Sequence, residues 1–77
     1  MKISWKRVDT FITEIRVDSF YIGTVEADLY MMWKIKPSFS ISHMKKAELK
    51  EVYSNDIEAG RALAKMWDNT WTEEFPF

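Results

Sequence analysis

The side chains able to do acid–base, nucleophilic or metal chemistry are few and poorly placed. His43 is the sole histidine and the chain has no cysteine. A histidine-rich or thiolate metal site, a paired-histidine mechanism and a thiol nucleophile are therefore excluded within one copy. Two pairs of acidic neighbours remain, Glu26 with Asp28 and Glu73 with Glu74. The first pair is expected to flank a hairpin turn, where acids are ordinary solvated residues. The second pair would point to different sides of a helix. No loop has calcium-site spacing with its central Gly, and the isolated Gly23 and Gly60 cannot build a phosphate-binding loop. Ser38, Ser40 and Ser42 alternate, and His43 lies too close in sequence to serve them as a base. These residues point to no catalytic, cofactor-binding or metal site and to no small-molecule substrate. An enzyme is not expected.

Nucleic-acid binding is the better chemical competitor. Tyr30, Met32, Lys34 and Lys36 fall on one side of an alternating run, and Arg16 or Tyr21 can join them from neighbouring strands. Aromatics interleaved with cations on a sheet let bases stack while the cations hold phosphates. Against this, five acids up to residue 36 (Asp9, Glu14, Asp18, Glu26, Asp28) nearly cancel six bases (Lys2, Lys6, Arg7, Arg16, Lys34, Lys36). The net charge of the whole chain is −1, so no bulk field attracts nucleic acid or an acidic membrane.

The informative feature is an excess of apolar surface near the C-terminus. Along a helix starting near residue 56, Glu58, Arg61, Lys65 and Asp68, with Asn69, share an arc of about 100°. Ala59, Ala62, Leu63, Met66, Trp67 and Trp71 occupy most of the rest. A helix on one sheet needs an apolar stripe only somewhat wider than about 100°. Trp67 and Trp71 lie one turn apart on the face of Leu63, and Phe75-Pro76-Phe77 follows. Either this tail folds back over the core, or Leu63, Met66, Trp67, Trp71, Phe75 and Phe77 serve an intermolecular contact. Trp and Met suit such contacts through rigid area and adaptability. In a homodimer, Lys45, Lys46 and Lys50 would supply a basic rim for the acidic tail.

The elements that must position these groups change character at Pro37. Before it, β-branched and aromatic residues dominate; after it, Ala, Leu, Lys, Glu and Met do. In residues 10–17, Phe11, Thr13, Ile15 and Val17 alternate with Glu14 and Arg16, which predicts a strand. Asp18-Ser19 predicts a turn. Residues 20–26 form a second β-rich run, in which Gly23 marks a bulge or a close backbone approach. Residues 29–36 alternate again, with Leu29, Met31, Trp33 and Ile35 on one face. The N-terminal residues also fit helical spacing, but their density of Val, Ile and Thr favours strand. Residues 44–52 suit a short helix or an edge strand equally. The clearest helix begins at Ser54-Asn55-Asp56, where Glu58 stands in capping-box register with Asn55. Gly60 is expected where that helix comes closest to the sheet.

Read together, Ile22-Gly23-Thr24-Val25-Glu26, then Tyr30-Met31-Met32-Trp33-Lys34-Ile35, then Asp56-Ile57-Glu58-Ala59-Gly60-Arg61-Ala62-Leu63-Ala64 resemble small uncharacterised proteins encoded by bacteriophages. In these a short meander ending in a Trp-bearing strand precedes an Ala-rich helix. The resemblance implies an accessory role, such as binding a host or viral protein, and transfers no site residues.

The 77 residues make one small α+β domain, residues 1–77. Its expected architecture is a three- or four-stranded antiparallel meander with a C-terminal helix on one face and room for a short helix before it. The expected function is protein–protein interaction, with a partner protein or as a homodimer; the alternative is a single-stranded nucleic-acid binder. No apolar run approaches the ~20 residues of a membrane span, and no signal-peptide pattern opens the chain. With no cysteine in so short a chain, a cytoplasmic location is expected.

Overall fold

A computed structural model describes residues 2–42, 46–67 and the backbone of 72–74. Strands β1 (Lys2–Asp9), β2 (Ile12–Val17), β3 (Phe20–Ala27) and β4 (Trp33–Pro37) form an antiparallel meander, followed by helix α1 (Asp56–Trp67). A short β5 (Thr72–Glu74) runs parallel to β1 along its outer edge, giving the order β4-β3-β2-β1-β5. The fold is α+β, with the helix packed on one face of the sheet.

Side-chain alternation builds this arrangement. On β2, Thr13, Ile15 and Val17 are buried, while Ile12, Glu14 and Arg16 alternate with them at intermediate exposure. Ile3 and Trp5 of β1 stand opposite Val17 and Ile15 and are fully buried with them. On β3, Ile22 and Val25 both face the core although they are three residues apart. A bulge explains this, because Ile15 pairs with Gly23 and Arg16 with Tyr21, leaving Ile22 as the extra residue. Gly23 has a φ of 147°, and a Cβ there would run into the Lys36 carbonyl oxygen of β4. Both expected roles of Gly23, bulge and close approach, meet at this position.

Helix α1 starts as its capping residues direct. Asn55 Oδ1 accepts the Glu58 N–H at 2.8 Å, and the Ser54 hydroxyl donates to Glu58 Oε2 at 2.8 Å. Ala59, Gly60, Leu63, Ala64 and Met66 face the sheet and are buried. Three of these five are Ala or Gly, so the helix sinks close to the strands. A Cβ on Gly60 would overlap the Trp5 indole nitrogen and come within 2.9 Å of Ile15 Cδ1. Gly60 is the expected point of closest approach.

Two expectations need correction. The third predicted strand starts late: β4 begins at Trp33, and residues 29–31 belong to the preceding turn, where Met31 has a φ of 59°. Phe11 likewise leaves the strand face, because it sits in the β1–β2 turn and is 40% exposed. Between β4 and α1 the described chain turns about Lys46, whose N–H bonds to the Ser42 carbonyl at 2.9 Å and whose carbonyl accepts the Leu49 N–H at 3.1 Å. It then reaches Tyr53, which exchanges hydrogen bonds of 2.8 and 2.7 Å with Trp33. Residues 43–45 lie outside the described residues.

The β2–β3 hairpin turns on two residues, Asp18 and Ser19, with φ of 51° and 72°. This is the two-residue geometry that favours Asn-Gly, and each L-residue held there costs about 1–2 kcal/mol. Ser19→Gly is therefore expected to raise the unfolding free energy by about 1 kcal/mol. An unchanged or lower urea midpoint would show that the turn is not strained.

Candidate interaction surface at one end of the sheet

The residues singled out from sequence are dispersed by the fold. Leu63 is fully buried and Met66 is 5% exposed, so both are core residues and are withdrawn from the expected interface. Trp67 is 41% exposed and meets Phe39 edge-to-face, with ring centroids 5.2 Å apart. Trp71, Phe75 and Phe77 lie outside the described residues, as does Lys45. The backbone of the intervening Thr72–Glu74 pairs with Lys2, Ile3 and Ser4.

The expected nucleic-acid face is also incomplete. Lys34 and Lys36 are exposed on β4, but Tyr30 and Met32 lie in the turn before it and do not extend that strand face. Arg16 and Tyr21 are cross-strand partners, with the guanidinium 5.8 Å from the ring centroid. Acids interleave with these cations: Glu14 lies 3.3 Å from Arg16, and Glu26 lies 4.0 Å from Lys36. Ion pairs this exposed are worth little energetically, yet they lower the positive potential of the face.

Glu26 and Asp28 have structural duties, while the side chains of Glu73 and Glu74 lie outside the described residues. Asp28 Oδ1 accepts the N–H groups of Tyr30 and Met32 at 2.8 and 3.1 Å, while Glu26 accepts the Thr24 hydroxyl at 3.2 Å. Ser38 donates to the Tyr21 carbonyl at 3.5 Å. Among the described residues no group of three His, Cys, Asp or Glu is arranged to hold a metal ion. No described helix is long and apolar enough to cross a membrane.

A different surface emerges from the topology. In an antiparallel meander the β1–β2 and β3–β4 turns lie at the same end of the sheet. Here they are tied together, since the Ala27 N–H bonds to the Phe11 carbonyl at 2.8 Å. Each turn is organised by an aspartate. Asp9 Oδ1 accepts the Phe11 N–H at 2.7 Å. Asp28 holds Tyr30 and Met32 as above, and its carbonyl also accepts the Met31 N–H at 3.0 Å. With these backbone groups satisfied locally, the side chains project outward. Leu29 and Tyr30 are 88% and 87% exposed, and Val8, Phe11 and Met31 are exposed beside them.

This concentration is unusual in two respects. Of the eight exposed large hydrophobics among the described residues, five (Val8, Phe11, Leu29, Tyr30, Met31) gather at this end. The tip also carries a methionine in the left-handed region, where glycine is favoured and an L-residue costs about 1–2 kcal/mol. A polar, glycine-containing turn would be more stable on both counts. Asp28 was legible in the sequence as punctuation. The exposed tip was hidden because Leu29 and Met31 extend the Trp33–Ile35 alternation without a break.

Comparison with protein-family models, with curated proteins and with solved structures finds no match.

Proposed function

We propose that the protein is a non-enzymatic protein–protein interaction module that docks through the apolar end of its sheet, led by Leu29 and Tyr30. The observation that carries this reading is the gathering of five exposed large hydrophobics on two hydrogen-bonded turns. Tyr is enriched among residues that dominate binding energy, and burying a leucine side chain contributes about 1.5–3 kcal/mol. The aspartates hold the loop in place before binding, which reduces the ordering cost of association. The phage-like resemblance extends the same reading towards an accessory, host-modulating role in the cytoplasm.

Exposed positions contribute little to folding, so Leu29→Ser/Tyr30→Ser should unfold at the wild-type temperature. Proteins recovered with a tagged wild type from its native host should be lost with this variant and kept with Lys34→Ala/Lys36→Ala. Recovery of the same proteins by wild type and tip variant would overturn the reading. In parallel, titration with a mixed oligonucleotide at low salt should leave tryptophan fluorescence unchanged. Salt-sensitive quenching that Lys34→Ala/Lys36→Ala abolishes would transfer the function to nucleic-acid binding.

A further inference from the structure

Resting on that reading, we propose that the partner is a second copy of this chain, with the Leu29–Tyr30 tip of each copy seated in a groove of the other. The groove has a volume of about 460 Å³ and runs alongside β4, between Ile35 and Pro37 of the strand and the returning segment at 46–51. Ile35, Pro37, Ile41 and Leu49 supply its apolar wall, and Lys46 and Lys50 stand on its rim together with Glu51. Its volume is within the range that accepts a drug-sized apolar ligand, which is the scale of one or two large side chains.

Charge and apolar character match between tip and groove. The tip presents Leu29 and Tyr30 next to Asp28, an acid with no ion-pair partner among the described residues. Lys46 and Lys50 are likewise without an ion-pair partner among those residues. An aspartate next to two apolar side chains would meet two lysines bordering an apolar cleft, which fixes orientation as well as speeding encounter.

The tip does not occupy its own groove: Leu29 and Tyr30 are 88% and 87% exposed, although the groove lies along the strand that follows them. The turn is also held at the N-terminal end by the Asp28 hydrogen bonds. Occupation of the groove by this tip is therefore intermolecular. Because the tip precedes the strand that lines the groove, a two-fold axis beside β4 exchanges each tip into the opposite groove. Such an isologous contact closes a dimer and leaves no unsatisfied end to propagate a filament. Strand pairing across that axis is restricted, since Trp33 is already bonded to Tyr53 and Pro37 has no N–H. Side chains, not an extended sheet, make the contact.

The native chain has no cysteine, so single cysteines report the geometry directly. Tyr30→Cys and Leu49→Cys, mixed and oxidised, should give a covalent heterodimer as the main product, with little linkage of either variant to itself. Sedimentation equilibrium of the wild type across the micromolar range should show a dimer. Leu29→Asp and, from the other side, Leu49→Asp should each weaken it at least about tenfold. Lys46→Glu/Lys50→Glu should weaken it and remove most of its salt dependence. Circular dichroism melts at low concentration establish that each variant folds. A monomeric wild type, a dimer indifferent to Leu29→Asp, or predominant Tyr30→Cys self-linkage would overturn the proposal. If the wild type is monomeric but its tip still captures another protein, only the second-copy assignment fails; if tip-dependent capture is also lost, the interaction reading falls with it.

Discussion

Trp5→Ala is expected to lower the unfolding free energy by about 3–5 kcal/mol, the range for deleting a large aromatic from a packed core. Trp5 is 0% exposed, lies beneath Gly60 of α1, and donates its Nε1–H to the Asp56 carbonyl at 3.2 Å. Truncation would remove both the ring and that hydrogen bond. The complementary change, Gly60→Leu, forces carbon atoms into space held by the Trp5 indole and Ile15 Cδ1. Over-packing of this kind costs about 1–3 kcal/mol, and the rigid ring makes the upper end of that range appropriate. The two changes oppose each other in volume. Trp5→Ala/Gly60→Leu should therefore be less unstable than the sum of the single variants, with a coupling of about 1–2 kcal/mol. Urea denaturation of the four proteins checks this. Strict additivity would show that indole and glycine do not share one space.

Asp56→Ala is the second large effect, about 2–3 kcal/mol from the terms that follow. Asp56 opens α1, is 5% exposed, and its Oδ2 accepts from Arg7 Nη2 at 2.9 Å and from the Thr13 hydroxyl at 3.1 Å. Arg7 keeps half of its side chain in water, so the ion pair by itself contributes little. Thr13 is 0% exposed. Losing its carboxylate acceptor inside the core costs about 1–3 kcal/mol. Removing an acid from the first turn of a helix adds about 0.3–1 kcal/mol. Asp56→Asn retains an acceptor of similar shape and should cost less than half as much. Urea midpoints for Asp56→Ala and wild type that coincide would refute this bridge between helix and sheet.

Much of this architecture was readable along the chain because it depends on neighbours. The alternation of Thr13, Ile15 and Val17 places β2, and the polar pair at 18–19 places its turn. Asn55 and Glu58 start the helix through contacts three residues apart. Gly60 stood out because a residue without a side chain inside a helix implies something pressed against it. The same local logic misplaced Leu29 and Met31, since a period of two continues as smoothly into an exposed turn as into a strand. It also overstated the unpartnered part of α1. Ala59, Gly60 and Ala64 let the helix sink, so Leu63 and Met66 become buried, while Phe39 and Tyr53 of the connecting segment close its flank.

Residue types and local spacing settled the α+β class, the run of strands ahead of the helix and the scarcity of catalytic groups, but not β5, which follows the helix and joins the sheet beside β1. Tertiary structure alone decided where the surplus apolar surface lies. Phe11 and Ala27 are far apart in sequence and become hydrogen-bonded neighbours only when β2 and β3 pair. Val8, Phe11, Leu29 and Tyr30 come to the same end of the sheet only because antiparallel strands return alternate turns there. Arg7, Thr13 and Asp56 likewise meet through the docking of α1 onto β1 and β2. Periodicity encodes which way a side chain faces within its own element; which elements end up beside it is set by the summed packing of the whole core.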